Sequence, residues 1–202
     1  MFGERAAGWK LASFTSVLAV MALCLQLGEA RSASGCLLDV EACTTLAIEY
    51  ANGKGRPKDP ERAVALFREG CEAGHQRACN GLGLAYAHGS GVEADGKRAV
   101  ALFERACLLD EARGCHNLGF VYRWGVSVEK DWAVAAQWFE VGCRKGYAQS
   151  CATAGALLII GVADGPQVKR GRDLMQRGCG LGDDRSCEAL KGVDAVTLGG
   201  FK

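Results

Sequence analysis

The sequence predicts an all-α fold, an α/α solenoid of about four 36-residue helix-pair repeats stapled by disulfides. Three observations predict it: cysteine pairs that recur at a fixed step, apolar and glycine columns that recur in phase with them, and helical spacing inside each unit. The elements follow in chain order.

Arg5 and Lys10 precede an uncharged, largely apolar run at 11–27, and Gly28-Glu29-Ala30 then places small residues at cleavage offsets. Residues 1–30 therefore read as a secretory signal peptide cut after Ala30, and 31–42 as a short N-terminal segment bearing Cys36. The 202 residues are 49% hydrophobic and 23% charged, enough to bury a sizeable core. A formal net charge of +1 gives no field of one sign, and no basic run is interleaved with aromatics, which argues against a nucleic-acid partner. No membrane span is expected once the leader is removed.

Of the eleven cysteines, loss of Cys24 with the leader leaves ten, an even number in a chain addressed to an oxidising compartment. They fall into the pairs Cys36/Cys43, Cys71/Cys79, Cys107/Cys115, Cys143/Cys151 and Cys179/Cys187, and the second members recur every 36 residues. Units opened at the second cysteine run 43–78, 79–114, 115–150 and 151–186, followed by a C-terminal cap and tail at 187–202. Leu46, Leu82 and Leu118 share one column, and Tyr50, Tyr86 and Tyr122 another; Gly53, Gly89, Gly125 and Gly161 come next. The fourth unit is degenerate, with Leu158 for the tyrosine, Gln167 for the aspartate, Gly171 for the alanine and Met175 for the phenylalanine.

Within a unit, Leu46, Ala47 and Tyr50 lie on one helical face, which defines a first helix. A glycine-rich turn follows. Asp59, Asp95 and Asp131 then stand where a carboxylate can accept from the exposed N–H groups of a second helix. That helix carries Ala63, Leu66, Phe67 and Gly70 at three- and four-residue spacing. Each cysteine pair spans the loop from a second helix to the next first helix. Adjacent pairing is favoured because a solenoid unit touches only its neighbours. Each closed loop should contribute roughly 2 to 3 kcal/mol.

Cys115-His116-Asn117-Leu118-Gly119 and Cys79-Asn80-Gly81-Leu82-Gly83, with the turn Gly89-Ser90-Gly91-Val92, resemble the Sel-one-like repeat, a relative of the tetratricopeptide repeat. With a cysteine pair in every unit, the chain looks more specifically like the cysteine-rich Hcp family of secreted bacterial repeat proteins. The resemblance covers about residues 36 to 190. It implies a right-handed superhelix, a protein-interaction scaffold working through its concave face and, for some members, weak penicillin binding and hydrolysis.

Two functions are therefore set side by side. The first is an exported, monomeric scaffold that binds a protein or peptide, or a peptidoglycan-related component. Arg123, Trp124 and Glu49 are its candidate contacts, with Ala85 and Val121 beside them on the first helices. The second is a slow β-lactam hydrolase, for which Ser127-Val128-Glu129-Lys130 matches the Ser-x-x-Lys pattern in which a lysine helps to take the serine proton. The companion Ser-Asp-Asn and Lys-Thr-Gly elements are absent from the sequence, and Ser127 falls in a turn. No cofactor or metal is expected: His75, His88 and His116 occupy different columns and read as exposed polar residues. Trp138, in the column of Leu66 and Leu102, and the run 156–160 read as buried.

Overall fold

The computed structural model describes residues 39–161 and 165–198, and nine α-helices lie among them. They are α1 (Val40–Asn52), α2 (Pro60–Glu72), α3 (Gln76–His88), α4 (Gly96–Leu108), α5 (Ala112–Trp124), α6 (Trp132–Arg144), α7 (Ala148–Gly161), α8 (Gly165–Gly180) and α9 (Asp184–Leu198). Each helix packs on the one before it and the one after it, which gives the expected stack of helix pairs. The leader 1–30 and Cys36, hence the Cys36–Cys43 pairing, lie outside the described residues.

The turn inside each of the first three pairs is the same device used three times. Gly53, Gly89 and Gly125 close their helices in the left-handed conformation, with φ of 70°, 65° and 71°. The N–H groups of Asp59, Asp95 and Asp131 then donate to the carbonyls of Tyr50, Tyr86 and Tyr122 at 3.0, 3.0 and 2.9 Å. Their carboxylates cap α2, α4 and α6 by accepting from Arg62, Arg98 and Val134 N–H at 3.0, 3.0 and 2.9 Å. Backbone geometry, and not side-chain packing alone, thus sets the angle between the two helices of a pair.

The core runs along the stack as a line of large residues facing small ones. Phe67, Phe103, Phe139 and Met175 are all buried. Phe139, fully enclosed, lies flat against Gly119, where a Cβ would come within 2.6 Å of its ring. In the fourth pair Met175 replaces phenylalanine, and Gly155 and Gly171 let the backbones of α7 and α8 approach more closely still. Trp138 is partly buried and packs against the core, as its column predicts.

Two expectations about burial are corrected. His116 is not an exposed polar residue; it is only 8% exposed, because its column turns toward the neighbouring repeat. Ile160, placed with the buried run 156–160, is 78% exposed at the end of α7, although Leu157 of the same run is buried. Position explains the second: Ile160 stands one residue from the C-terminal end of α7, in the column of Asn52, His88 and Trp124, which are exposed at the ends of their own helices.

Candidate functional site

The first helices α1, α3, α5 and α7 present one face whose residues share columns 36 apart, so that they form rows crossing the stack. One row is charged or polar: Glu41, Arg77, Arg113 and Gln149. A second, Thr44, Asn80 and His116, is buried and makes the floor. A third is apolar: Ile48, Leu84, Phe120 and Ala156, with Leu84 38% and Phe120 37% exposed. The last is Asn52, His88, Trp124 and Ile160, at the far ends of the helices. Successive spacings of three and four residues keep the rows on one side of each helix.

Between α1 and α3 this face opens into a groove of about 350 Å³, floored by Val64 and Phe67 of α2. Arg77, Asn80, Glu111 and Arg113 stand at one end, Ile48 and Leu84 in the middle, and Asn52, His88 and Ser90 at the other. Arg77 donates to Glu41 Oε1 at 2.8 Å. Glu111 is occupied in capping α5, its Oε1 accepting from Arg113 N–H at 3.2 Å.

The floor polar groups hold the repeats together. Asn117 Nδ2 donates to Asn80 Oδ1 at 2.7 Å, bridging α5 to α3. His116 Nδ1 meets Ser150 Oγ of α7 at 2.8 Å, inside a ring of Phe120, Tyr147 and Phe139 with centroids 4.8, 4.9 and 5.1 Å away. Burial, and secondarily the Arg185 charge, push its pKa down to about 4 from 6.5, so the imidazole is neutral at physiological pH. In the first repeat a hydroxyl–imidazole–carboxylate chain runs from Thr44 Oγ1 to His75 Nδ1 at 2.8 Å, and from His75 Nε2 to Glu41 at 2.7 Å. Thr44 is fully buried and also bonded to the Val40 carbonyl, so this chain ties α1 to the loop before α3 and offers no nucleophile.

The structure disperses the residues singled out from sequence. Trp124 is 63% exposed on the outer row of the groove face. Arg123 lies with its guanidinium 5.2 Å from the Trp124 ring and its Nε buried, so it supports that tryptophan. Glu49 lies off the groove, paired with Arg56 at 2.8 Å. Val121, in the same column, is buried, and Ala85 is buried in the groove wall. Of that column only Ala85 reaches the groove. Ser127 takes the turn column of Gly55 and Gly91 and adopts a positive φ of 62°, with its hydroxyl against Gly96 at the start of α4. Lys130 places its amine 5.0 Å from the Trp132 ring, and no hydrogen bond joins it to Ser127.

Sequence reasoning missed the rows through Ile48 and Arg77. The signal was present: apolar Ile48, Leu84 and Phe120 share a column of the first helices.

The loop cysteines complete the picture. Cys71–Cys79, Cys107–Cys115, Cys143–Cys151 and Cys179–Cys187 are disulfides, with Cα atoms 4.5, 4.7, 4.6 and 4.7 Å apart, each joining the last turn of one helix to the first turn of the next. Among the described residues no group of His, Cys, Asp or Glu could hold a metal ion, and no helix is long and apolar enough to cross a membrane.

The Sel1 repeat model matches residues 40–75, 76–111 and 112–147. The chain belongs to the Sel1 repeat family. Each matched unit opens at the first residue of α1, α3 or α5, just ahead of the second cysteine of its pair. Among solved structures, a Sel1 repeat protein from Oxalobacter formigenes aligns with a TM-score of 0.69 and 26% identity, over 77% of this chain and 63% of that one. A protective antigen of uropathogenic Escherichia coli strains, displaying an SLR fold, aligns with a TM-score of 0.70 and 25% identity, over 80% of this chain and 35% of that one. Helicobacter pylori cysteine rich protein B shares the fold, with a TM-score of 0.53 and 24% identity over 66% of this chain and 96% of that one. This chain thus spans less than two thirds of the first two structures. No curated protein sequence matches it. Membership of this Sel1 family makes the chain a repeat scaffold of the kind that mediates protein interactions, and its disulfides are consistent with a place outside the cytoplasm.

Proposed function

We propose that this Sel1 repeat chain is an exported scaffold that binds a protein partner along the face of its first helices. The supporting observation is the row of exposed apolar side chains there: Leu84 and Phe120, flanked by Trp124 and Ile160, stand open to solvent in register on successive first helices. An apolar row with a polar border is the usual anatomy of a binding surface. The α5 turn, with Trp124 braced by Arg123, supplies a large and ordered aromatic of the type that dominates interface energetics.

Export rests on the apolar leader and on cysteines that serve as loop staples. Nothing in the geometry favours hydrolysis of a β-lactam, since Ser127 and Lys130 are engaged separately. A photo-crosslinking residue at position 120 should yield discrete adducts on intact cells, and one at exposed position 104 on α4 should not. Adducts equal from both positions, or from neither, would sink the reading. N-terminal sequencing of the mature protein should begin at Arg31; an intact Met1 on a protein with reduced cysteines would remove the exported part.

A further inference from the structure

We infer that the groove between α1 and α3 receives the C-terminal end of a partner polypeptide, its free carboxylate between Arg77 and Arg113 and its last apolar side chains over Ile48 and Leu84. This rests on the scaffold reading above and narrows it to one partner chemistry.

The groove is polarised. At its loop end two guanidiniums, in the same column of successive repeats, face the same space. Arg77 spends one donor on Glu41, and the Arg113 side chain has no partner among the described residues. Between them lies Asn80, only 8% exposed, whose Oδ1 is held by Asn117. Among the described residues the Asn80 Nδ2 hydrogens find no acceptor, and Asn80 lines the groove. Two guanidinium forks and one buried amide offer more donors than Glu41 and the groove-lining Glu111 take up, and a carboxylate satisfies the remainder.

The neighbouring surface says what kind of carboxylate. Directly beyond Asn80 the wall turns apolar, with Ile48, Leu84 and the edge of Phe67, so the anion must be followed at once by apolar groups. Beyond the arginines stand Glu41 and Glu111, which would repel an acidic run continuing in that direction. A chain terminus carries a single negative charge and does not continue. From Arg77 to His88 the helix spans about 16 Å. An extended peptide of five residues covers about the same length, and the uncharged far end, at Asn52 and Ser90, leaves an exit for the rest of the partner.

The test uses the oxidised mature protein, immobilised, and two pools of pentapeptides randomised at every position, one with free C-termini and the other amidated, with retained peptides read by mass spectrometry. The free-acid pool should be enriched at least tenfold over the amide, with Leu, Ile, Val or Phe at the last two positions. Arg77→Gln with Arg113→Gln should abolish the enrichment while leaving the helical spectrum and melting point unchanged, because both side chains lie on the surface. Equal retention of both pools, selection of internal Asp or Glu in the amidated pool, or no retention of either would overturn the inference. If crosslinking from position 120 persists in the Arg77→Gln, Arg113→Gln variant while the pools show no preference for the free acid, the scaffold reading stands and the carboxylate site alone fails.

Discussion

The disulfide-bridged loops and the first-helix groove are cut from the same 36-residue unit, yet they repeat differently. At the loops every unit places the same residue in the same column: Cys79, Cys115 and Cys151 in one, Cys71, Cys107 and Cys143 in the other, with Cα separations that agree within 0.2 Å. On the groove face the columns change along the stack, from Glu41 to Arg77 and Arg113 to Gln149, and from Asn52 to His88 to Trp124. The difference teaches where each job is done. A column that must meet an identical neighbour in every repeat is constrained to one residue; a column that meets a ligand is free to differ, and its differences describe the ligand.

That division can be attacked from both sides. The largest effect is expected in the frame. Phe139→Ala empties a fully enclosed site against Gly119 and should cost about 3 to 5 kcal/mol in a denaturant titration. A loss below 1 kcal/mol would mean that the large-against-small line is not the core.

His116 belongs to a groove column but is buried like the frame, and pH separates the two roles. The unfolded imidazole takes up its proton near pH 6.5 and the folded one at about 4. Between those values the unfolded state binds more protons. Stability should therefore be fully present above pH 6.5 and fall as the pH drops toward 4, by on the order of 3 kcal/mol. His116→Gln, which cannot titrate, should flatten that limb of a stability-versus-pH curve; an unchanged limb would assign it to other groups.

Removing one staple with Cys107→Ser and Cys115→Ser should cost about 2 to 3 kcal/mol, because the cross-link closes a short loop in the unfolded chain. Calorimetry with and without reducing agent extends this to all the bridges, and an unchanged melting temperature would refute the staple argument.

The smallest effect on stability belongs to the groove. Leu84→Ala, at a partly exposed helical position, should change stability by less than about 1 kcal/mol. The same substitution should weaken retention of the apolar-ended peptides several-fold. Were stability to fall as far as in Phe139→Ala, Leu84 would have to be counted with the frame.

Most of the frame was legible in the chain. The period, the aspartate caps and the glycine turns each act through local backbone chemistry, so a repeated residue implies a repeated conformation. The groove was legible only in part. Glu49, Val121 and Arg123 were placed on the binding side because they alternate with core columns, but a first helix is covered on two sides, by its own partner helix and by the neighbouring repeats. The open sector is therefore narrower than a single amphipathic helix suggests, and rotation along α5 carries Val121 under cover while leaving Phe120 and Trp124 outside. Ser127 misled for a related reason. Its Ser-x-x-Lys spacing assumes a helix, whereas the left-handed turn points its hydroxyl at Gly96 and leaves Lys130 against Trp132.

By itself the sequence determined the repeat length, the paired helices, the caps and the placement of the cysteines in bridging loops, because these depend on contacts within one unit or between adjacent units at fixed separation. Only the tertiary structure decided that Arg77, Asn80 and Arg113 converge on one groove, and that His116 is neutral and enclosed. Those properties arise from residues on different helices, whose mutual distance depends on how the repeats rotate against one another, and no period in a single unit records that rotation.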